Sequence, residues 1–250
     1  MQRKKFLQSI SVAAVATALP FGINAETNKK KKYFTVAHLT DTHVKPDPVA
    51  EEGMRKAFRH ANALKEKPAF IINGGDAIMD GLAANKEKTA AQWLTWKRIL
   101  TEENNLPIYH CLGNHDAWGW QLTEPEVKAD PLYDKAWALQ EHKMPGRYYS
   151  FTNKNWKFIV LDSAHENNGG YIAKIDDEQF TWLENELKNT DATMHVCIVS
   201  HIPIVSFCAA LFAEKNQDNG DWRISRALLQ TDASKLKELV SNYKNTRCCI

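Results

Sequence analysis

The sequence has no CxxC pair, and its five cysteines among 250 residues outline no disulfide framework. Cys111 and Cys197 sit inside apolar runs and read as small core residues, while Cys248 and Cys249 lie at the far end of the chain. Long apolar runs are also lacking. The stretch from Phe6 to Leu19 is too short for a comfortable membrane span. Charge of one sign is not in excess: 32 basic residues against 30 acidic ones leave a net +2. That near-balance excludes a broad basic face for non-specific nucleic-acid binding, and no stable nucleic-acid complex is expected. There is no internal repeat, and no Gly- or Ser-rich linker marks a second domain. What is present is apolar mass: 44% hydrophobic residues, with eight Trp and ten Phe, enough for one sizeable core.

The first 25 residues are distinct from the rest. Arg3, Lys4 and Lys5 precede a mostly small and apolar run, and Ala25 supplies a small residue for cleavage. "RKKFLQS" (Arg3 to Ser9) resembles a twin-arginine export signal with Lys in place of the second Arg. The expected organisation is an export signal over 1–25, a basic tether over 26–32 and one globular domain over 33–250. An exported, periplasmic protein is implied, with no transmembrane segment in the mature chain. Loss of residues 1–25 removes three basic residues and no acidic ones, so the net charge becomes −1.

From Tyr33 onward, strand and helix patterns alternate, which indicates an α/β fold. Short apolar runs at 33–40, 69–72, 107–112 and 194–200 read as strands. Met54, Phe58, Ala61 and Leu64 mark a helix over about 49–65, and Trp93, Trp96 and Leu100 mark one over 86–103. Asn153-Lys154-Asn155 reads as a hairpin turn, and Asp176 with Gln179 as a capping box that opens a helix. A last helix is expected over 222–243, followed by a strand that begins "TRCC". Residues 167–171 read as a flexible turn, with a loop able to touch a substrate as the alternative, and Asp162 and Ser163 read as structural.

Four of the apolar runs end in short polar clusters: DTH, GGD, GNHD and SH. In α/β folds the C-terminal strand ends share an edge where ligands bind, so these clusters can converge. They bring Asp41, His43, Asp76, Asn114, His115, Asp116 and His201 to that edge. Carboxylate and amide oxygens are mixed with imidazole nitrogens, and no thiolate is among them. Such a donor set suits Mn, Fe or Zn rather than Ca. The glycines before Asp76 and Asn114 permit sharp turns. Trp118 and Trp120 are expected to pack the following loop, with base stacking as the alternative.

"DTH", "GGD", "GNHD" and "SHIP", in this order, resemble the calcineurin-like metallophosphoesterase family, in particular its bacterial cyclic-nucleotide-phosphodiesterase and acid-phosphatase-like branch. The resemblance spans 33–250. It implies a β-sandwich flanked by helices, four layers in αββα order, with two metal ions at the strand ends. By the same resemblance Asp41 and His43 bind the first ion, Asp76 bridges, and Asn114 and His201 bind the second. His115 protonates the leaving oxygen or stabilises its charge, and Asp116 orients His115 by a hydrogen bond. Two ions would neutralise a phosphoester's charge and lower the pKa of a bridging water, so that hydroxide attacks near neutral pH. The implied activity is hydrolysis of a small phosphorylated substrate, such as a nucleotide, whether monoester or diester.

Two departures from the family pattern stand out. Purple acid phosphatases place an iron-ligating Tyr where Met79 stands, so a ferric centre is not expected. The family's Gly-His-x-His motif has no counterpart before Ile250. The expectation is that the chain is a truncated fragment. The alternatives are a short form with impaired or lost catalysis that still binds phosphate or a partner, or a partner chain that supplies the missing ligands. Oligomeric state is left open.

Overall fold

The computed structural model describes residues 33–215 and 218–250. The expected export signal and basic tether lie outside the described residues. Residues 34–250 form one unit, built on two sheets. The first is parallel, with β1 (Val36–Leu39), β2 (Phe70–Asn73) and β3 (Ile108–His110) side by side. Helix α1 (Pro48–Ala63) connects β1 to β2, and α2 (Lys86–Glu103) connects β2 to β3. Both helices start where the sequence provides a cap. The Asp47 carboxylate accepts from the Val49 and Ala50 amides, and the Asn85 side chain accepts from the Lys88 amide.

After two short helices, α3 (Pro125–Lys128) and α4 (Ala136–His142), the chain forms the hairpin of β4 (Tyr149–Asn153) and β5 (Trp156–Leu161). A second hairpin, β6 (Ala164–Asn167) with β7 (Gly170–Ala173), precedes α5 (Asp177–Lys188) and β8 (His195–Ser200). The remaining elements are α6 (Cys208–Leu211), a two-residue strand pair β9 (Glu214–Lys215) and β10 (Trp222–Arg223), α7 (Ala233–Ser241) and β11 (Thr246–Cys249). The second sheet has the order β11-β8-β5-β4, with only β4 antiparallel to its neighbour.

Strand alternation assigns the layers. Phe70 and Ile72 of β2 share one cluster with Phe158 and Val160 of β5 and with Cys197 and Val199 of β8. That cluster is the seam between the two sheets. The next residues along face outward: Ile71 packs with Met54, Phe58, Trp93 and Trp96 of α1 and α2. Ile159, Leu161, Val196 and Ile198 pack with Leu183, Leu187, Leu236 and Leu239 of α5 and α7. The result is the four-layer αββα sandwich. Each of these large apolar side chains contributes about 1.5–3 kcal/mol by leaving water.

Two local expectations are corrected. The helix expected over 222–243 is present only as Ala233–Ser241. Its first half has other uses for its backbone: the Arg226 carbonyl accepts from Ala173, and the Thr231 amide donates back to Ala173. The turn at 167–171 is a tight one, with Asn168 and Gly169 both at positive φ. The capping box is half made. Asp176 caps α5, but the Gln179 amide group turns inward and pairs with the Asp162 backbone at both its N–H and C=O.

His110 and His142 stack face to face at the inner end of α4, with ring centroids 4.0 Å apart. Burial holds the His110 pKa down at about 3 and His142 well below its ordinary value. Neither ring nitrogen of His142 has a hydrogen-bond partner among the described residues. Both rings are therefore neutral when folded, and each takes up a proton on unfolding below about pH 6.5. The unfolded state then binds more protons, so stability falls as the medium is acidified, by about 1.4 kcal/mol per pH unit for each ring. His142→Phe, which can keep the stack on His110 and the edge contact with Trp93, is expected to remove one proton from this dependence between about pH 6 and pH 4. Urea titrations across that range measure it. An unchanged slope would mean that His142 is charged in the native state.

Candidate metal centre

The loops after β1, β2, β3 and β8 meet at one edge and bring Asp41, His43, Asp76, Asn114, His115 and His201 together. Parallel pairing continues past the strand ends: the Asp41 amide donates to the Gly75 carbonyl, and the His43 amide to the Asp76 carbonyl. Asp41, His43 and Asp76 all have φ between 43° and 55°, the left-handed region that L-residues seldom occupy. Three such residues side by side are strained backbone held in place by its surroundings, a condition typical of functional sites. The turns, not simple strand alternation, are what aim Asp41 and His43 at each other. Gly75 and Gly113 allow the loops to close. A Cβ on Gly75 would strike the Gly113 backbone and His201, and one on Gly113 would strike Asp76.

Asp76 is at the centre and almost fully buried. Its Oδ2 lies 3.6 Å from His43 Nε2 and 3.4 Å from His201 Nε2. Asp41 Oδ1 is 3.6 Å from the same His43 nitrogen. These gaps exceed hydrogen-bond length for most of the contacts, but they suit ligands that share an ion at about 2 Å. Two groups of donor atoms form, each within 4.8 Å: His43, Asp76 and His115 in one, and Asp41, Asp76 and His201 in the other. Asp76 belongs to both. This grouping crosses the order of the motifs, which pairs Asp41 with His43. Asn114 joins the second group, its Oδ1 being 3.2 Å from His201 Nε2.

The electrostatics call for positive charge. His201 Nδ1 donates to the Gly74 carbonyl at 2.9 Å, so Nε2 would carry a lone pair in the neutral ring. Yet Nε2 faces two acceptors, Asn114 Oδ1 and Asp76 Oδ2. Burial lowers the His201 pKa, but Asp76 and Asp41 outweigh it and lift the value to about 9. His43 is raised in the same sense, first by Asp41, whose own pKa is held at about 2 chiefly by His43. Two carboxylates facing two imidazoles make this a place that favours a cation. The donors present fit divalent ions of the Mn, Fe or Zn type.

The calcineurin-like phosphoesterase model matches residues 34–230. The chain belongs to that family. No curated protein matches the chain. Among solved structures, the chain is similar to a purple acid phosphatase from yellow lupin (Lupinus luteus) seeds, at 14% identity and a TM-score of 0.49. That match covers 84% of this chain and 36% of the lupin chain. It is also similar to the phosphopantetheinyl hydrolase of Mycobacterium tuberculosis, at 12% identity and a TM-score of 0.46, over 86% of this chain and 80% of that one. A 5'-nucleotidase precursor from Thermus thermophilus matches at 18% identity and a TM-score of 0.35, over 68% of this chain and 37% of the other. The chain thus spans little more than a third of the lupin and Thermus proteins.

In this calcineurin-like phosphoesterase the hydrogen bond expected between the His115 ring and the Asp116 carboxylate is not made. The His115 imidazole is held instead by the Met79 carbonyl, which accepts from Nδ1 at 2.6 Å and leaves Nε2 toward the site. Met79 thus contributes its backbone where a ligating Tyr was the comparison. Asp116 is fully buried and accepts three backbone amides: Asp76 at 3.0 Å, Ala77 at 2.8 Å and Gly113 at 2.9 Å. It fastens the GGD loop to the GNHD loop. Trp118 and Trp120 are buried and donate to the Ala84 carbonyl and to Asp134, so they pack the loop and offer no face for base stacking.

Sequence reading missed the support behind β5. Asp162 is fully buried and accepts from Lys135 Nζ at 2.6 Å and from Arg147 at 2.6 Å. Lys135 is itself buried and donates also to the Ala164 carbonyl. The partners are distant in sequence, and only the apolar surroundings of "VLDSA" hinted that Asp162 needed one. A cleft of about 320 Å³ opens beside Asp41 and His201, walled by Thr40, Pro203, Val205 and Ile250.

Proposed function

We propose that the chain hydrolyses small phosphomonoesters or phosphodiesters with the help of two divalent ions, for which Asp76 would be a shared ligand. The observation that carries this reading is Asp76 itself, one buried carboxylate common to two donor groups. Asp41, His43, Asn114 and His201 complete the holding set. When bound, such ions neutralise phosphate charge and lower the pKa of a water. The chain's own residues do the rest. His201 is fixed by the Gly74 carbonyl, so Nε2 stays toward the site. His115, fixed by the Met79 carbonyl, presents Nε2 to hold or deliver a proton at the leaving oxygen. The cleft beside Asp41 admits substrate from solvent, with nucleotides among the candidates. Export through the N-terminal 25 residues belongs to the same proposal.

The test is metal content followed by turnover. The chain is loaded with Mn, dialysed and analysed for metal, then assayed on p-nitrophenyl phosphate and bis(p-nitrophenyl) phosphate. Two retained ions and hydrolysis that stops on chelation are the expected result. Retention of phosphate without turnover at saturating metal would favour a non-catalytic phosphate-binding protein of the same fold. Neither metal nor phosphate retention would overturn both.

A further inference from the structure

The β6–β7 hairpin has no part in holding the donor groups, yet it lies against their loops. Its register sets Ala164 opposite Ala173 and Glu166 opposite Tyr171, so these four residues share one face. Ala164 and Ala173 on that face are buried with Leu82, Ala117, Trp120 and Ile202, and Tyr171 packs on the same cluster. Ala117 directly follows Asp116, and Ile202 directly follows His201. The tyrosine ring is therefore seated on the stems of the GNHD and SH loops. Its hydroxyl makes no hydrogen bond to any described residue. It is also within electrostatic reach of the centre: after burial, Asp76 and Asp41 are the groups that push its pKa up.

A half-buried phenol seated on the stems of these two loops, its O–H unpaired among the described residues, is a donor without a partner. We propose that Tyr171 binds the substrate, donating its hydroxyl to a non-bridging oxygen of the phosphoryl group, an inference that rests on the phosphoesterase reading above. Asn168 and Gly169 make the turn that brings the strand back, and the β-ladder fixes where the ring can go. A neutral donor suits this place. It stabilises an anionic oxygen without competing with the ions for carboxylates.

The test compares wild type with Tyr171→Phe and Tyr171→Ala in the Mn-loaded full chain. Three quantities are read: affinity for inorganic phosphate by calorimetry, kcat/KM on p-nitrophenyl phosphate, and Tm. Tyr171→Phe keeps the ring and loses only the O–H. It is expected to weaken phosphate binding and to lower kcat/KM, each by about tenfold, with Tm and Mn content unchanged. Tyr171→Ala is expected to lose as much affinity and to lower Tm as well. Phosphate affinity for Tyr171→Phe within about twofold of wild type would overturn the proposal and leave the ring a packing element. If wild type itself binds Mn but no phosphate, the phosphoesterase reading fails first, and the role of Tyr171 fails with it.

Discussion

Replacing Asp76 with alanine is expected to strip the protein of its metal-holding capacity and of its hydrolysis together. Among the described residues, no other belongs to both donor groups. Its two oxygens also do different jobs. Oδ1 accepts the His115 amide at 2.7 Å, while Oδ2 faces His43 and His201. Outer partners of metal ligands are commonly worth about 10- to 100-fold in affinity or rate, so loss of a shared inner carboxylate should cost at least about a hundredfold. Asp76→Asn separates the two jobs. The amide oxygen can still accept from His115, so the loop should hold, but the negative charge is gone. If charge is what matters, Asp76→Asn should lose Mn nearly as completely as Asp76→Ala and keep a near-native Tm. Elemental analysis after dialysis, with melting curves, decides it. An Asp76→Asn protein that retains two ions per chain would mean that the carboxylate serves only as a backbone acceptor.

The parts of this site that were legible in the sequence are those written locally. Each strand end carries its own cluster, and glycine precedes Asp76 and Asn114 because the loops pass too close for a side chain. Helix α2 was readable to its ends because Asn85 caps it and the tryptophans repeat along one face. Roles set by partners elsewhere in the chain were not readable. Asp116 follows His115 in sequence, which invites the view that it orients its neighbour. Its acceptor pairs, however, are amides of the GGD loop about 40 residues back and of Gly113. The carbonyl that does orient His115 belongs to Met79, and a backbone group leaves no trace in the residue letter. The shortened last helix has the same origin. Residues 222–232 have an apolar pattern, but hydrogen bonds with β7 and to the Pro203 carbonyl claim their backbone first.

Asp116→Asn is expected to destabilise the whole domain while leaving the orientation of His115 intact. Asp116 Oδ2 accepts two amides, from Asp76 and Gly113, and Oδ1 accepts one, from Ala77. An asparagine has one oxygen. Whichever way its amide turns, an NH₂ faces at least one buried N–H and leaves it without an acceptor. Each such loss costs about 1–3 kcal/mol, so about 3 kcal/mol is a reasonable total. For a domain of this size that is a fall in Tm of roughly 6–12 °C. The position already has an electrostatic cost: burial and the neighbouring Asp76 carboxylate both push the Asp116 pKa up, against the pull of the amides. With the clasp weakened, the GGD and GNHD loops should separate enough to lower Mn affinity below the melting temperature. The opposite role makes an opposite prediction. Were Asp116 the residue that sets the His115 ring, Asp116→Asn would shift the pH profile of turnover and leave Tm nearly unchanged. Melting curves and a pH–rate profile on the same variant tell a clasp between two loops from a partner of one imidazole.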